Sequence, residues 1–270
     1  MKNLMLFICA IFLAGVIVSC GNSAVSELEV LIPAGSFDMG SDEEDEDALG
    51  REFGLRSGSF YEDEQPMRKV TLKGYYIDKF EVTNERYKGF VSATGYKAPS
   101  NWTEGTYPGE MGEHPVSHVT WFDADAFCKW DGRRLPSEAE WEKAAHGPDG
   151  YVYPWGNEYD ESKTNVRGGK TMVVGSIETD KSGYGVYDMA GNVMEWVDDW
   201  YMPYPGSTAK NKDFGHKVKV LRGASGSTSG HYNIAVMFAR ASSRQKYLPS
   251  GADKDGGFRC ARDIDSISKK

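Results

Sequence analysis

Cysteine is scarce in this chain. It has four in 270 residues, and two of them, Cys9 and Cys20, lie in or just after the N-terminal apolar stretch. That leaves no room for a cysteine-rich zinc module or a dense disulfide framework. Basic runs are missing as well. Asp plus Glu outnumber Lys plus Arg by 40 to 31, for a formal net charge of −9, and a partner with a phosphate backbone is excluded on that balance. No internal repeat divides the chain, and amphipathic helical runs are few. With 31 Gly and 15 Tyr, the composition favours one large, loop-rich domain whose loops are pinned by aromatic packing, metals or disulfides.

What is present begins with Met1-Lys2-Asn3 and an apolar run over residues 4–18, a stretch with the charge and length of a secretory signal and too short to span a bilayer comfortably. It ends in Ser19-Cys20-Gly21, which resembles a bacterial lipobox, so Cys20 is expected to be lipidated and to become the first residue of the mature chain. The expected layout is a signal peptide at 1–19, a lipidated tether at 20–27, a single domain at 28–264 and a tail at 265–270. The anchor places the protein in the bacterial cell envelope, at the outer membrane or cell surface, with the membrane as one partner.

Local pattern gives short strands at residues 28–32 and 36–39, another running from Val70 through Asp78, one at 217–221 and a last at 257–262. Three helices are expected. The first is capped by Thr83 and stopped by Gly95, the second covers 121–130, and the third carries a capping box of Ser137 and Glu140 and ends at Gly147. Beyond Tyr153 only turns and short strands are expected, with residues 202–214 an exposed excursion. His114 and His118 suggest a metal pair, but Pro115 between them disfavours the helix such a pair needs, so they read as structural. Glu138, Glu140 and Glu142 read as a cap and a solvated face.

The segment from Gly183 to Trp196 reads as a core turn. Asp188 and Glu195, seven residues apart around Gly191, either converge on a hard cation such as Ca2+ or only bind local backbone. The residues alone leave both readings open.

Taken together, Ile32-Pro-Ala-Gly-Ser-Phe-Asp-Met-Gly40, Asp78-Lys-Phe-Glu-Val-Thr-Asn84, His114-Pro-Val116, Arg134-Leu-Pro-Ser-Glu-Ala-Glu-Trp141, Tyr153-Pro-Trp-Gly-Asn157, the 183–196 segment, Arg222-Gly223 and Gly257-Phe-Arg-Cys260 resemble the sulfatase-modifying factor, or formylglycine-generating enzyme, superfamily. The resemblance implies an α+β domain of C-type lectin-related fold with little regular secondary structure. It also implies a structural calcium ion held by the side chains of Asp188 and Glu195 and the carbonyls of Gly191 and Val193. A second family calcium site is eroded: Asn165 and Val166 match its first ligands, but the stretch that carries its aspartate is shortened. A disulfide between Cys128 and Cys260 is implied in the same way.

The enzymes of this superfamily use two further cysteines that hold copper(I), a soft ion needing thiolates. The matching positions here fall near Thr228 and Asn233, neither of which is a thiol, so no copper cofactor and no formylglycine chemistry are expected. The 226–236 window and residues 243–254 mix Tyr, Ser, Gly, Asn, His, Gln and Lys, a palette suited to adaptable recognition. Between Arg222 and Arg259 the layout is similar to the variable proteins of diversity-generating retroelements, with Arg240, Ala241 and Arg244 as framework; Ala224 and Gly226 depart from that pattern.

The expected function is therefore a lipid-anchored, non-enzymatic binding protein. Its protein or glycan ligand would meet Ser227, Thr228, Ser229, His231, Tyr232, Asn233, Ile234, Val236, Phe238, Gln245, Lys246 and Tyr247. A structural lipoprotein of an envelope complex and a cysteine-independent enzyme are the alternatives.

Overall fold

A computed structural model describes residues 28–42, 61–226 and 232–265, with the backbone alone for 232–234. Its helices start where the caps predict. The Thr83 hydroxyl accepts from Arg86 N ahead of α1 (Asn84–Thr94), and Gly95 closes that helix in the left-handed region at φ 70°. Helix α2 (Trp121–Trp130) opens on a capping box of Thr120 and Asp123, and α3 (Glu138–His146) on one of Ser137 and Glu140. Among the described residues no helix is long and apolar enough to cross a membrane.

Among the described residues nine short strands form three sheets. β1 (Glu29–Ile32), β4 (Tyr75–Asp78) and β9 (Ala261–Asp263) pair antiparallel in the order β1-β4-β9, so the first and last strands share one sheet. β2 (Gly35–Met39) and β3 (Arg68–Leu72) form a ribbon. The third sheet has the order β7-β6-β5-β8, from β5 (Met194–Trp200), β6 (Lys219–Arg222), β7 (Arg244–Tyr247) and β8 (Gly256–Phe258), with β5 and β8 parallel.

Where one strand was expected from Val70 to Asp78, the chain breaks at Gly74. A Cβ there would come within 2.7 Å of Ile264 Cδ1 and 3.3 Å of Ala34 N, so the backbone runs close against the Ile264 side-chain tip and the Ala34 amide. The expected last strand likewise splits, into β8 and β9.

Two large buried clusters hold the elements together. One packs Tyr87, Phe90, Phe127, Trp196 and Phe258 around the Cys128–Cys260 disulfide, whose Cα atoms lie 5.7 Å apart across 132 residues of sequence. The other joins Trp141, Tyr75, Val197 and Tyr201 beneath the first and third sheets. The 183–196 segment lies in this interior, as expected of a core turn: Val186, Met189, Ala190 and Trp196 are fully buried.

Two further expectations are corrected. A helix, α4 (Tyr232–Phe238), stands where turns and strands were expected. Its Ala235, with Val236 and Phe238 partly buried, packs into the cluster of Tyr153 and Val166, so tertiary packing overrides a poorly helical sequence. Glu138 and Glu142 do not sit on a solvated face: both are buried and paired with arginines. The 202–214 excursion is exposed or half-buried, as expected, except at Tyr204, which is buried under the guanidinium groups of Arg68 and Arg244.

Candidate functional site

Strand β7 forms an edge of the third sheet and carries Gln245, Lys246 and Tyr247 outward from a buried start at Arg244. Gln245 and Lys246 line a cavity of about 330 Å³ together with Phe238, Asp63, Tyr201 and Asn211. Three members of the expected ligand set thus share one concavity. Lys246 Nζ sits 4.7 Å above the Tyr201 ring and 3.7 Å from Asp213 Oδ2, and the Gln245 amide lies 3.2 Å from Ser243 Oγ. Tyr247 is 39% exposed, with its ring 6.4 Å from that of Trp196. Val236 is half-buried and faces the Tyr153 cluster rather than the cavity. Tyr232, Asn233 and Ile234 open α4. Ser227, Thr228, Ser229 and His231 lie outside the described residues.

Beneath the cavity lies a buried ionic floor. Arg244 bonds both oxygens of Glu138, at 2.7 and 3.0 Å, as well as Asp63 O and Met202 O. Arg222 bridges Glu138 at 2.9 Å and Glu142 at 2.7 Å and also donates to Ala241 O. Burial alone pushes the Glu142 carboxyl up, but Arg222 and His146 outweigh it and bring its pKa to about 2. Tyr201 donates to Asp63, whose own carboxyl is pushed up by burial despite Arg244. Arg240 pairs with Glu64 at 3.0 Å and stacks 4.4 Å above Tyr61. Arg240, Ala241 and Arg244 are all buried and tied down. Their hydrogen bonds and ion pairs fix the backbone that leads into residues 245–247.

The disulfide fixes the sulfur chemistry. Cys128 and Cys260 are bonded to each other and fully buried, so from residue 28 to the C-terminus no thiol is left to coordinate copper(I) or to attack a substrate. Gly226, one departure from the variable-protein pattern, has a steric reason. A Cβ there would come 2.5 Å from Lys170 O and 2.8 Å from Asn165 Nδ2, so no side chain fits.

Around Asp188 a second buried cluster collects Glu81, Asp180 and Glu195 with a single counter-ion, Arg259. The Asp188 backbone is left-handed, at φ 60°. Burial pushes its carboxyl up to about 6, against the pull of the Gly175 N–H, which donates at 2.6 Å, and of Arg259. Burial also raises Glu81 and Asp180, and the charge of Asp188 adds to both shifts. Asp180 Oδ1 and Thr164 Oγ1 are buried with no hydrogen-bond partner.

This excess of negative charge suits a cation, but the donor set matches the expected one only in part. Both Glu195 oxygens are held by Arg259 at 2.6 Å, and Oε2 also accepts from Trp141 Nε1 at 2.9 Å. Glu195 is therefore spent on a buried ion pair. Among the described residues no three His, Cys, Asp or Glu side chains converge as a metal site. Gly191 packs against this cluster, since a Cβ there would meet Thr164 Oγ1 at 2.5 Å and Asn165 O at 2.7 Å. The histidine pair is structural in its contacts: His114 bonds Thr171 and His118 bonds Ser117.

Comparison with known proteins gives a consistent picture. The model of the sulfatase-modifying factor enzyme 1-like domain matches residues 20–264. The inactive C-alpha-formylglycine-generating enzyme 2 of Mus musculus is 33% identical over 86% of this chain and 84% of its own length. The serine/threonine-protein kinase Pkn1 of Chlamydia trachomatis is 37% identical, but the chain spans only 37% of that protein. Among solved structures, PvdO from Pseudomonas aeruginosa superposes with a TM-score of 0.66 at 29% identity, covering 87% of this chain and 94% of that one. Treponema denticola variable protein 1 superposes at 0.64 and 24% identity, over 87% and 94% of the two chains, and shares the fold.

Proposed function

Because the chain belongs to the family of sulfatase-modifying factor enzyme 1-like domains, we propose that it keeps the family scaffold without its sulfur oxidation and serves as a lipid-anchored binding protein of the bacterial surface. The observation that carries this reading is the disulfide. It consumes both cysteines of the domain, and copper(I) chemistry on a substrate cysteine needs thiolates the domain does not have. A 33% identical relative whose name describes it as inactive supports the same reading.

The ligand, a protein or glycan, enters the cavity walled by Phe238, Gln245 and Lys246 and extends over Tyr247. The arginine frame beneath holds the geometry while these contact residues vary. Calcium is proposed as a structural ion beside Asp188 and the carbonyls of Gly191 and Val193, with Glu195 contributing charge rather than a free oxygen. Cys20 carries the lipid.

Two assays test the proposal. Incubated with copper and a cysteine-bearing sulfatase peptide, the purified protein is expected to give no formylglycine, and turnover would overturn the reading. Screened against glycan and surface-protein arrays, it is expected to bind saturably, with affinity reduced about tenfold or more by Phe238→Ala or Lys246→Ala if these are contact hot spots. Binding that neither substitution alters would remove the cavity from the proposal.

A further inference from the structure

At the entry to β1, Leu28 is 47% exposed and its carbonyl accepts from Lys79 N at 2.7 Å. Beside it a cationic and aromatic patch assembles from two distant parts of the chain. Lys79 Nζ lies 5.2 Å from the Phe80 ring centre and 5.4 Å from that of Tyr187, while Lys181 Nζ lies 5.3 Å from Tyr187 on its own approach. The two rings are 5.2 Å apart, and Tyr187 N donates to Lys79 O at 2.9 Å, which fixes the arrangement through the backbone. Among the described residues neither lysine makes an ion pair. Leu28 and Lys181 are exposed while Lys79, Phe80 and Tyr187 are half-buried, so in a chain of net charge −9 the patch offers solvent two amines that no carboxylate pairs among the described residues.

We infer that this patch of Leu28, Lys79, Phe80, Lys181 and Tyr187 rests on an anionic phospholipid bilayer, the one that holds the lipid on Cys20. The inference builds on the anchor proposed above. Its second support is length. From Cys20 to Leu28 the chain reaches at most about 28 Å when fully extended, while a domain of this size has a radius of gyration of about 18 Å. The tether holds the surface around Leu28 within that reach of the headgroups, less than the width of the domain. Amines attract the phosphate layer, and Tyr and Phe rings suit the boundary between headgroup and acyl chain.

The test uses the full lipidated protein in vesicles of phosphatidylcholine alone or mixed with phosphatidylglycerol. Lysines are labelled by a membrane-impermeant acylating reagent and read by mass spectrometry. On the anionic vesicles, acylation of Lys79 and Lys181 is expected to slow by roughly tenfold or more, with Lys210 at the ligand cavity unchanged and the protection lost in high salt. Lys79→Gln/Lys181→Gln, checked for an unchanged melting curve, is expected to abolish the ordering of the surface, read as equal hydrogen exchange of β1 on the two vesicle types. Equal acylation on both vesicles in the parent protein overturns the inference but leaves the anchor standing. Failure to float with vesicles at all overturns the anchor, and the inference with it. Protection that appears in detergent and grows with protein concentration assigns the patch to a second copy of the chain and also overturns it.

Discussion

Replacing both half-cystines, as Cys128→Ala/Cys260→Ala, tests how the interior is closed. The bond spans 132 residues of sequence, more than half of the domain. In the chain-entropy treatment, a loop of that length gives a stabilisation of about 5 kcal/mol at 25 °C, nearly all of it from restricting the unfolded chain. The side chains removed are small, and their neighbours Phe127, Phe258 and Tyr87 remain packed on one another, Tyr87 stacked on Phe127 and both edge-to-face with Phe258, so lost packing adds comparatively little. For a domain of this size, 5 kcal/mol corresponds to a fall in melting temperature of about 10–20 °C. Denaturant titration of parent and double variant, with the slope checked for equality, gives the difference directly. A loss below about 1 kcal/mol would show that unfolded-state structure cancels the loop term, and would refute the entropic account. Because both sulfurs are fully buried, the folded protein should also resist dithiothreitol until it is partly unfolded.

Three further outcomes are expected. Glu142→Gln removes one arm of the buried Arg222 bridge and should cost about 3–5 kcal/mol. Because the native Glu142 pKa lies near 2, below its unfolded value of 4.5, its stabilisation is complete above pH 4.5 and is lost as the pH falls toward 2. The parent and variant acid-unfolding curves should therefore converge at the acid end. Gly257→Ala puts a methyl group 2.6 Å from Val116 O and 2.7 Å from Val193 Cγ2, and calorimetry should show a loss of about 1–3 kcal/mol. At neutral pH, added calcium should raise the melting temperature and EDTA lower it, because an ion bound only by the folded state stabilises it by mass action. Identical curves with and without the ion would refute the calcium proposal at Asp188.

What the sequence revealed was local or ordered along the chain. Thr83, Ser137 with Glu140, and Gly95 announce their helix ends because a cap is satisfied within three or four residues. The superfamily motifs located the Cys128–Cys260 pair, which spacing alone could not. The misses are non-local or lack a period. Tyr232 to Phe238 is apolar nearly all round and has no visible cap, so its helix comes from the pocket it fills. Glu138 and Glu142 look like any helix surface until Arg222 and Arg244, 80 and 106 residues from their partners Glu142 and Glu138 in sequence, are folded onto them. Likewise, nothing near Glu195 in the sequence reveals that Arg259, more than sixty residues away, bonds both its oxygens.

The first sheet orders its strands β1-β4-β9, and the partners that complete the interior arrive together at the very end: Phe258 for the aromatic cluster, Arg259 for Glu195, Cys260 for the sulfur bond and Ala261 for the sheet. A chain that still lacks these four residues has an aromatic cluster without its last ring, Glu195 without its guanidinium and Cys128 without its bond partner, so the interior closes as one late step rather than piece by piece.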